Sequence, residues 1–597
     1  MLDVRVYRAA FLPALIALFL AAFSLADRPA PLTSPLSADA FDGARAFGGK
    51  APLRNSLAEL AKSFPNRQTG SADDTGLADR VASTLQASDR RNRPAFRVTR
   101  HFAGAAETVI GVRSGLSSRQ IVVVSHRDSE ARPGLAELSG TAAMLELARL
   151  FRARELRKTL VLVSTSGANE GFTGSRAWAH DVSGKPIDAV IVLGDLAGTG
   201  NDRPWVVPWS LGSGSAPLGL QRTVENALRV EGGRPGGTRA IGQWIRRAMP
   251  FTVSEQGVIA DQGLPAVLLG PGGERGPVSG ERVRQARLDR FGQTVLRTVS
   301  AIDAAGADQD ADTPAFDSPE GIVTMRNVLP DWSVRLLVGT LLLPAFLTAL
   351  DGFFRIRRRR LAVGPWLAWL GATALPVVMA WVWLRGLGIA GGIDPPDAPM
   401  LPLPPFDRSD AIAVGSAVLV AALGWFGVRR LILARAGERG NPMAGSLAAA
   451  TGATLCLLAA LVWVVNPYAA ALLLPAAHVW MFAAAPSTRL RGWMGAIAVA
   501  VGVLPFLVVI VYYARAFGLN PLEEAWMAAL SAASGQLSLA VAIVAGGVLA
   551  CLAGLLKIMR MRRRVQATAG PDPVVTRGPI SYAGPGSLGG TESALRR

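Results

Sequence analysis

The sequence predicts an α/β domain built on a largely parallel sheet, followed by a bundle of membrane helices. Three observations predict it. Half of the 597 residues are hydrophobic. The uncharged runs of membrane length lie at the two ends of the chain. Between them, residues 45–303 hold no such run; short β-branched stretches alternate there with stretches of helical spacing.

The first apolar run, Ala9–Ala26, follows Arg5 and Arg8 and is a signal anchor or a signal peptide. Ser24-Leu25-Ala26 has the small-x-small pattern of a cleavage site. Either reading of residues 1–30 places the α/β domain outside the cytoplasm.

Within 45–303, Leu57–Phe64 and Thr75–Ala87 have helical spacing, and Phe96–His101 and Thr108–Val112 read as strands. Ile121–Ser125 is a continuous β-branched run, as a buried strand requires. Thr141–Arg152 reads as helix, Leu160–Thr165 as strand, Gly174–His180 as a helix start and Ala189–Gly194 as strand. Strand and helix in alternation argue for a parallel sheet covered on both faces. Residues 304–331 are acidic and rich in Ala, Asp and Pro, and read as a linker.

Seven further runs suit membrane spans within 332–564: Leu336–Phe354, Leu361–Leu384, Ala411–Val428, Ala444–Val465, Tyr468–Ala485, Trp493–Tyr513 and Leu537–Leu556. Arginine-rich loops at 355–360, 429–435, 489–491 and 557–564 alternate with arginine-poor loops. With the α/β domain outside, every basic loop falls inside. This predicts a multi-pass protein of the plasma membrane with a cytoplasmic C-terminus. Residues 565–597 are rich in Gly, Pro and Ser and read as a disordered tail.

The formal charge of +18 suggests nucleic acid, but the arginines cluster at the ends of apolar runs, which excludes that reading. The excess of Arg over Lys reads as a GC-rich, bacterial genome. Both cysteines, Cys456 and Cys551, lie in apolar runs, so the α/β domain has no disulfide and no cysteine metal site.

Ligands of parallel sheets bind beyond the carboxyl ends of the strands. There the sequence places His126-Arg127-Asp128-Ser129, then Gly167-Ala168-Asn169-Glu170-Gly171, then Asp195. Six segments in order carry a resemblance: FPNRQTGSADDTGLADRVASTLQ, VVVSHRDS, SGTAAMLELARLF, GFTGSRAWA, VIVLGDLAG and SEQGVIADQGLPAVLL. Together they resemble the zinc exopeptidases of the aminopeptidase Y and bacterial leucyl aminopeptidase kind, metallopeptidase family twenty-eight. The resemblance implies a three-layer α/β/α sandwich. It also implies a two-zinc site with a His, a bridging Asp, a Glu, an Asp and a final His, beside a glutamate general base. In such a site the metals acidify a shared water and the base takes its proton.

Carried over residue by residue, His126 matches the first ligand, with Asp128 as the carboxylate that orients it. Asp195 matches the fourth. The bridging Asp falls at Leu135 or Ala136, where Glu137 is the nearby acid. The Glu-Glu pair falls at Ala168-Asn169, with Glu170 one position late. The final His falls at Arg275, which is read as a cation standing where the metal charge sat. Asn169, Glu255 and Arg275 are expected to line the pocket. With two of five ligands kept, the sequence favours a domain without zinc. Such a domain binds a peptide, a lipid-linked substrate or a membrane-protein partner. The alternative is an active zinc aminopeptidase with an altered site using His126, Asp195 and Glu137 or Glu170. The layout is also similar to the peptidase-like subunit of the eukaryotic GPI transamidase, which implies a scaffold in a membrane complex.

Overall fold

The computed structural model describes residues 4–36, 40–48, 54–89, 92–130, 132–199, 205–212, 214–275, 279–305, 313–316, 320–324, 326–436, 444–485 and 492–568. Of the tail expected to be disordered, 565–568 continue the helix Leu539–Thr568, and 569–597 lie outside these residues; the basic loop at 489–491 lies outside them too.

The central sheet has seven strands: β1 (Arg97–Ala103), β2 (Ala106–Arg113), β3 (Ser117–His126), β4 (Lys158–Thr165), β5 (Ile187–Leu193), β6 (Trp205–Val207) and β7 (Ala266–Gly270). Their order is β1-β2-β4-β3-β5-β7-β6. The four central strands β4, β3, β5 and β7 are parallel, and the outer pairings are antiparallel. From β3 the chain crosses to β4 on one side, then returns over the sheet to β5 on the other. The strand order therefore reverses between β3 and β5, the point beyond whose carboxyl ends sheets of this kind form their ligand crevice.

Strand periodicity explains why the sheet is covered twice. Ile121 and Val123 of β3, Leu160 and Leu162 of β4, and Ile191 and Leu193 of β5 face one core. Val122 and Val124, Val161 and Val163, and Val190 and Val192 face the other. Each such side chain withdrawn from water contributes about 1.5–3 kcal/mol. The first core is closed by α1 (Ala72–Gln86), α2 (Leu135–Phe151), α4 (Leu218–Val230) and α7 (Gln285–Ala304). The second is closed by α3 (Thr173–Asp181) and α6 (Glu255–Ala260). This is the expected α/β/α sandwich. The helix expected from Thr141 starts earlier, at Leu135, so Glu137 sits in a first helical turn and not in a loop.

Among the described residues, seven helices are long and apolar enough to cross a membrane: Asp331–Arg358, Gly364–Ala390, Arg408–Leu433, Gly445–Val465, Pro467–Ala484, Trp493–Phe517 and Leu539–Arg563. They coincide with the seven expected runs. The N-terminal apolar helix, Tyr7–Phe23, is shorter. It packs beside the bundle: the Tyr7 hydroxyl and His478 Nδ1 are 2.8 Å apart, and His478 Nε2 lies 2.9 Å from the Leu341 carbonyl. The expected linker is more ordered than its composition suggests. Gly321–Val323 and Asn327–Pro330 form a hairpin that pairs with Ala26–Asp27. Pairing satisfies backbone groups that would otherwise be buried unbonded where domain meets bundle.

The domain docks on the helix ends through α5 (Ala240–Ala248). The Trp244 indole N–H donates to the Tyr468 carbonyl at 3.2 Å, and the Asn466 amide donates to the carbonyls of Arg247 and Ala248. Arg246 pairs with Glu274 at 3.1 Å and lies against the rings of Tyr512, Tyr513 and Phe517.

A second buried charge cluster holds the amino-terminal edge of the sheet. Lys158 and Asp188, each 1% exposed, form an ion pair that Arg119 joins through Nε at 2.7 Å. Removing one member strands the other in a low dielectric. Asp188→Ala is therefore expected to cost about 3–5 kcal/mol, read as a large drop in the melting temperature of the full chain in detergent. A drop no larger than that of an exposed control such as Asp181→Ala would contradict this.

Candidate functional site

The crevice between β3 and β5 collects His126 at the end of β3, Asp195 just past β5, and Glu137 at the start of α2. Close packing brings these ends together. A Cβ on Gly140 of α2 would sit 2.8 Å from Ser125 Oγ and 2.9 Å from the Gly194 carbonyl oxygen, so only glycine fits there. The Thr141 hydroxyl fixes the strand end by donating to the His126 carbonyl at 2.9 Å.

His126 is 18% exposed, and its Nδ1 lies 3.3 Å from Glu255 Oε2. Glu255, 3% exposed, is held in turn by the hydroxyls of Thr165 (2.8 Å) and Ser175. Thr165 ends β4, and Ser175 opens α3. Four elements therefore meet at one carboxylate. Burial alone disfavours the imidazolium, but the hydrogen bond and charge of Glu255, with the charges of Asp128 and Glu137, outweigh it. They raise His126 from 6.5 to about 9. Burial likewise opposes ionisation of Glu255. The His126 contacts and the two hydroxyl bonds prevail and hold it below its usual range.

The other acids move the opposite way. Burial raises Asp195 from 3.8 to about 7; a backbone hydrogen bond and His126 oppose the rise, while the Glu137 charge adds to it. Burial also raises Glu137 and Asp128. One oxygen on each of Asp128, Glu137 and Asp195 is buried with no hydrogen-bond partner among the described residues. Arg67, fully buried, lies close enough to Glu137 and Asp128 to feel their charge. Its guanidinium donates to the carbonyls of Phe64, Arg127 and Gly134.

Several expected roles fall elsewhere. Asp128 does not orient His126. Its Oδ2 accepts from the backbone amides of Ala168 (2.8 Å) and Asn169 (3.5 Å) and from the Thr69 hydroxyl (3.3 Å). Glu255 contacts His126 instead. Glu170 does not swing in. Gly167 and Gly171 take φ of 84° and 79°, turning the chain so that Glu170 ends one 3-10 turn with its side chain exposed. Arg275 does not stand in for metal charge. It is exposed, and it donates to the carbonyls of Ala516 (2.8 Å) and Arg515 at the end of the Trp493–Phe517 span. Asn169 reaches the site through its backbone amide alone among the described contacts.

Residues 108–239 match the sequence profile of Peptidase family M28. The match spans β2 through α4, and so includes His126, Glu137 and Asp195. No curated relative matches the chain. Among solved structures, the chain is similar to a zinc-dependent exopeptidase from Parabacteroides distasonis. The TM-score is 0.34 at 17% identity, covering 43% of this chain and 98% of that one. The LapA aminopeptidase of Legionella pneumophila gives 0.37 at 12% identity, covering 45% and 73%. A glutaminyl cyclase from an Acidobacteriales bacterium gives 0.35 at 16% identity, covering 47% and 100%.

The M28 profile and the sequence resemblance imply zinc, which needs three or four donors converging on one point. Among the described residues, no three His, Cys, Asp or Glu side chains are so placed. As arranged, the side chains do not fit a two-zinc centre. What the crevice offers is a charged His126–Glu255 pair facing carboxylates of raised proton affinity.

Asp195 supplies a test of that description. As pH rises from about 4 to about 7, the unfolded chain releases this proton before the folded chain does. The folded state loses stability across that window. Asp195→Asn removes the loss, so the variant is expected to melt a few degrees above the parent at pH 8 and to lose its advantage toward pH 4. A variant melting lower at pH 8 would mean that a bound cation holds the ionised carboxylate.

Proposed function

We propose that this chain is a multi-pass protein of the plasma membrane. Its peptidase-like domain lies outside the cytoplasm and binds a peptide, a lipid-linked substrate or a partner, without hydrolysing it by the two-zinc mechanism. The observation that carries this reading is the loop 167–171. Where the resemblance requires a catalytic glutamate, the chain has Ala168 and Asn169, whose amides are tied to Asp128, while Glu170 is exposed. A general base must reach the proton it removes to within hydrogen-bond distance, directly or through one water. Glu170 would have to break the Asp128 contacts to do so.

The bundle supports a binding role for the same loop. A Cβ on Gly171 would meet the Ala398 nitrogen at 2.5 Å, and Arg176 donates to the Asp397 carbonyl at 3.2 Å. The loop between two spans therefore lies against the edge of the site, and a ligand there would touch both parts of the protein. The contacts of Tyr7 with His478 and of Asp27 with Asn327 support a retained N-terminal anchor. The alternation of arginine-rich and arginine-poor loops supports the orientation.

One observation favours the second reading, an altered metal site. The unpartnered oxygens of Asp128, Glu137 and Asp195 lie around a single histidine. Metal content distinguishes the two. The full chain is the right material, because Ala398 and Met400 from the bundle complete the domain's second core. Purified without chelator, it is expected to carry no stoichiometric zinc. His126→Ala is expected to leave the binding function intact and to lower stability by stranding Glu255. One zinc per chain, lost in His126→Ala together with aminopeptidase turnover, would refute the proposal.

A further inference from the structure

Outside the β3–β5 site, a cavity of about 610 Å³ opens between α4, α5 and the segment 320–324 that leads into the bundle. That volume suits a small-molecule site. Its wall carries four arginines, Arg28, Arg222, Arg239 and Arg247, against two glutamates, Glu225 and Glu320. Glu225 is bonded to Arg229 at 3.1 Å, and Glu320 is exposed. Arg28, Arg222 and Arg247 each have a buried Nε with no hydrogen-bond partner among the described residues. A buried guanidinium N–H without an acceptor is costly; Arg247 is otherwise held by Asp331, Ser215 and the Gly321 carbonyl, so it is Arg28 and Arg222 that point to an absent anion.

The backbone adds to the same field. The thirteen-residue α4 begins at Leu218 and the nine-residue α5 at Ala240; neither has a side-chain cap. Pro217 with Leu218 and Arg239 with Ala240 line the cavity, so both helix N-termini open into it. Two positive dipole ends without a side-chain cap among the described residues then face one space. The Arg28 charge is opposed first by burial and then by Arg222, with Glu225 as its favourable neighbour.

The position relates the cavity to the bilayer. Arg247 pairs at 3.2 Å with Asp331, the first residue of a membrane-length helix. Trp332 beside it is exposed, as at an interfacial belt. Arg28 lies shortly after the apolar helix ending at Phe23.

We propose that this cavity binds a phosphate-bearing anion, supplied by the headgroup of an anionic lipid in the leaflet that faces the domain. Guanidinium groups present paired donors that match phosphate oxygens, and the uncapped amides complete the cradle. The site is separate from His126 and does not depend on whether the crevice is catalytic.

The test uses the full chain in neutral detergent. Native mass spectrometry reads lipid retained after exchange into nanodiscs of phosphatidylcholine, with or without phosphatidylglycerol. Thermal unfolding is read with inorganic phosphate alone. Phosphatidylglycerol is expected to be retained over phosphatidylcholine. Arg28→Gln with Arg222→Gln is expected to weaken that retention about tenfold or more. Arg97→Gln, on the far edge strand, is expected to change nothing. Arg239→Gln, an exposed position that cannot unfold the domain, is expected to weaken binding in the same direction. Without anion, the double variant should melt no lower than the parent, because it removes crowded cations. Protection by inorganic phosphate but by neither lipid supports the phosphate site and moves its source to solution. Equal retention of both lipids with no protection by inorganic phosphate, unchanged binding in the variants, or a lower melting point of the double variant without anion would overturn the site.

Discussion

Arg246 and Arg247 leave consecutive positions of one short helix and end inside protein, at 6% and 7% exposure. Neither charge can stay in a low dielectric without a partner. Arg246 finds Glu274 within the domain, and Arg247 finds Asp331 at the head of a membrane-length helix. The Arg247 pair and the rings around Arg246 reach the bundle from one helix end in two places, so together they fix how the domain sits on it. The aromatic rings of Tyr512, Tyr513 and Phe517 around Arg246, and of Tyr468 beside Arg247, exclude water and strengthen the attraction. Breaking either pair would leave a charge that neither the lipid nor the domain core can hold.

The same constraint organises the crevice. Asp74 neutralises Arg127 at 2.8 Å behind β3, which leaves Asp128 free to bind the 167–171 loop. His126 then has Glu255 as its bonded counter-ion. With that pair satisfied, Asp195 and Glu137 have no full partner, and burial raises their proton affinity. A site that keeps acids this way is strained in the sense that neutral substitutions should stabilise it. Natural proteins tolerate such cost where a ligand relieves it.

Much of the fold is legible because strands and spans write themselves into sequence. The β-branched runs at 121–125, 160–165 and 189–194 can be buried only in a sheet covered twice, and the seven apolar runs each correspond to one membrane-length helix. The site is legible in part. His126 and Asp195 are marked by their positions after strands. Sequence proximity assigns the partner of His126 to Asp128, two residues away, when Glu255 supplies it from 129 residues along the chain. Local spacing carries no information about such a contact. Arg67 gives no signal for the same reason; it lies in a loop, and its role shows only once α2 packs over it. Counting from a family pattern places Arg275 at the site. Its side chain answers to the carbonyls of the Trp493–Phe517 span, which the α/β segment alone cannot announce.

The reach of Arg275 and the insertion of Ala398 and Met400 bear on how the protein works. Residues contributed by the bundle close the domain's second core and sit against the 167–171 loop. The domain and the membrane helices therefore share packing on the side of the sheet where a ligand would enter. Anything that tilts the Gly364–Ala390 helix carries the loop after it, and with it the edge of the crevice. The arginine-lined cavity sits between α4, α5 and the hairpin segment 320–324 that leads into the first membrane-length helix. A lipid held there would bear on α5, and α5 carries Arg246 and Arg247. Arg247 ties that helix to Asp331, and Arg246 ties it to Glu274 and to the rings of Tyr512, Tyr513 and Phe517, so occupancy of the cavity would bear on the seat of the domain on the bundle.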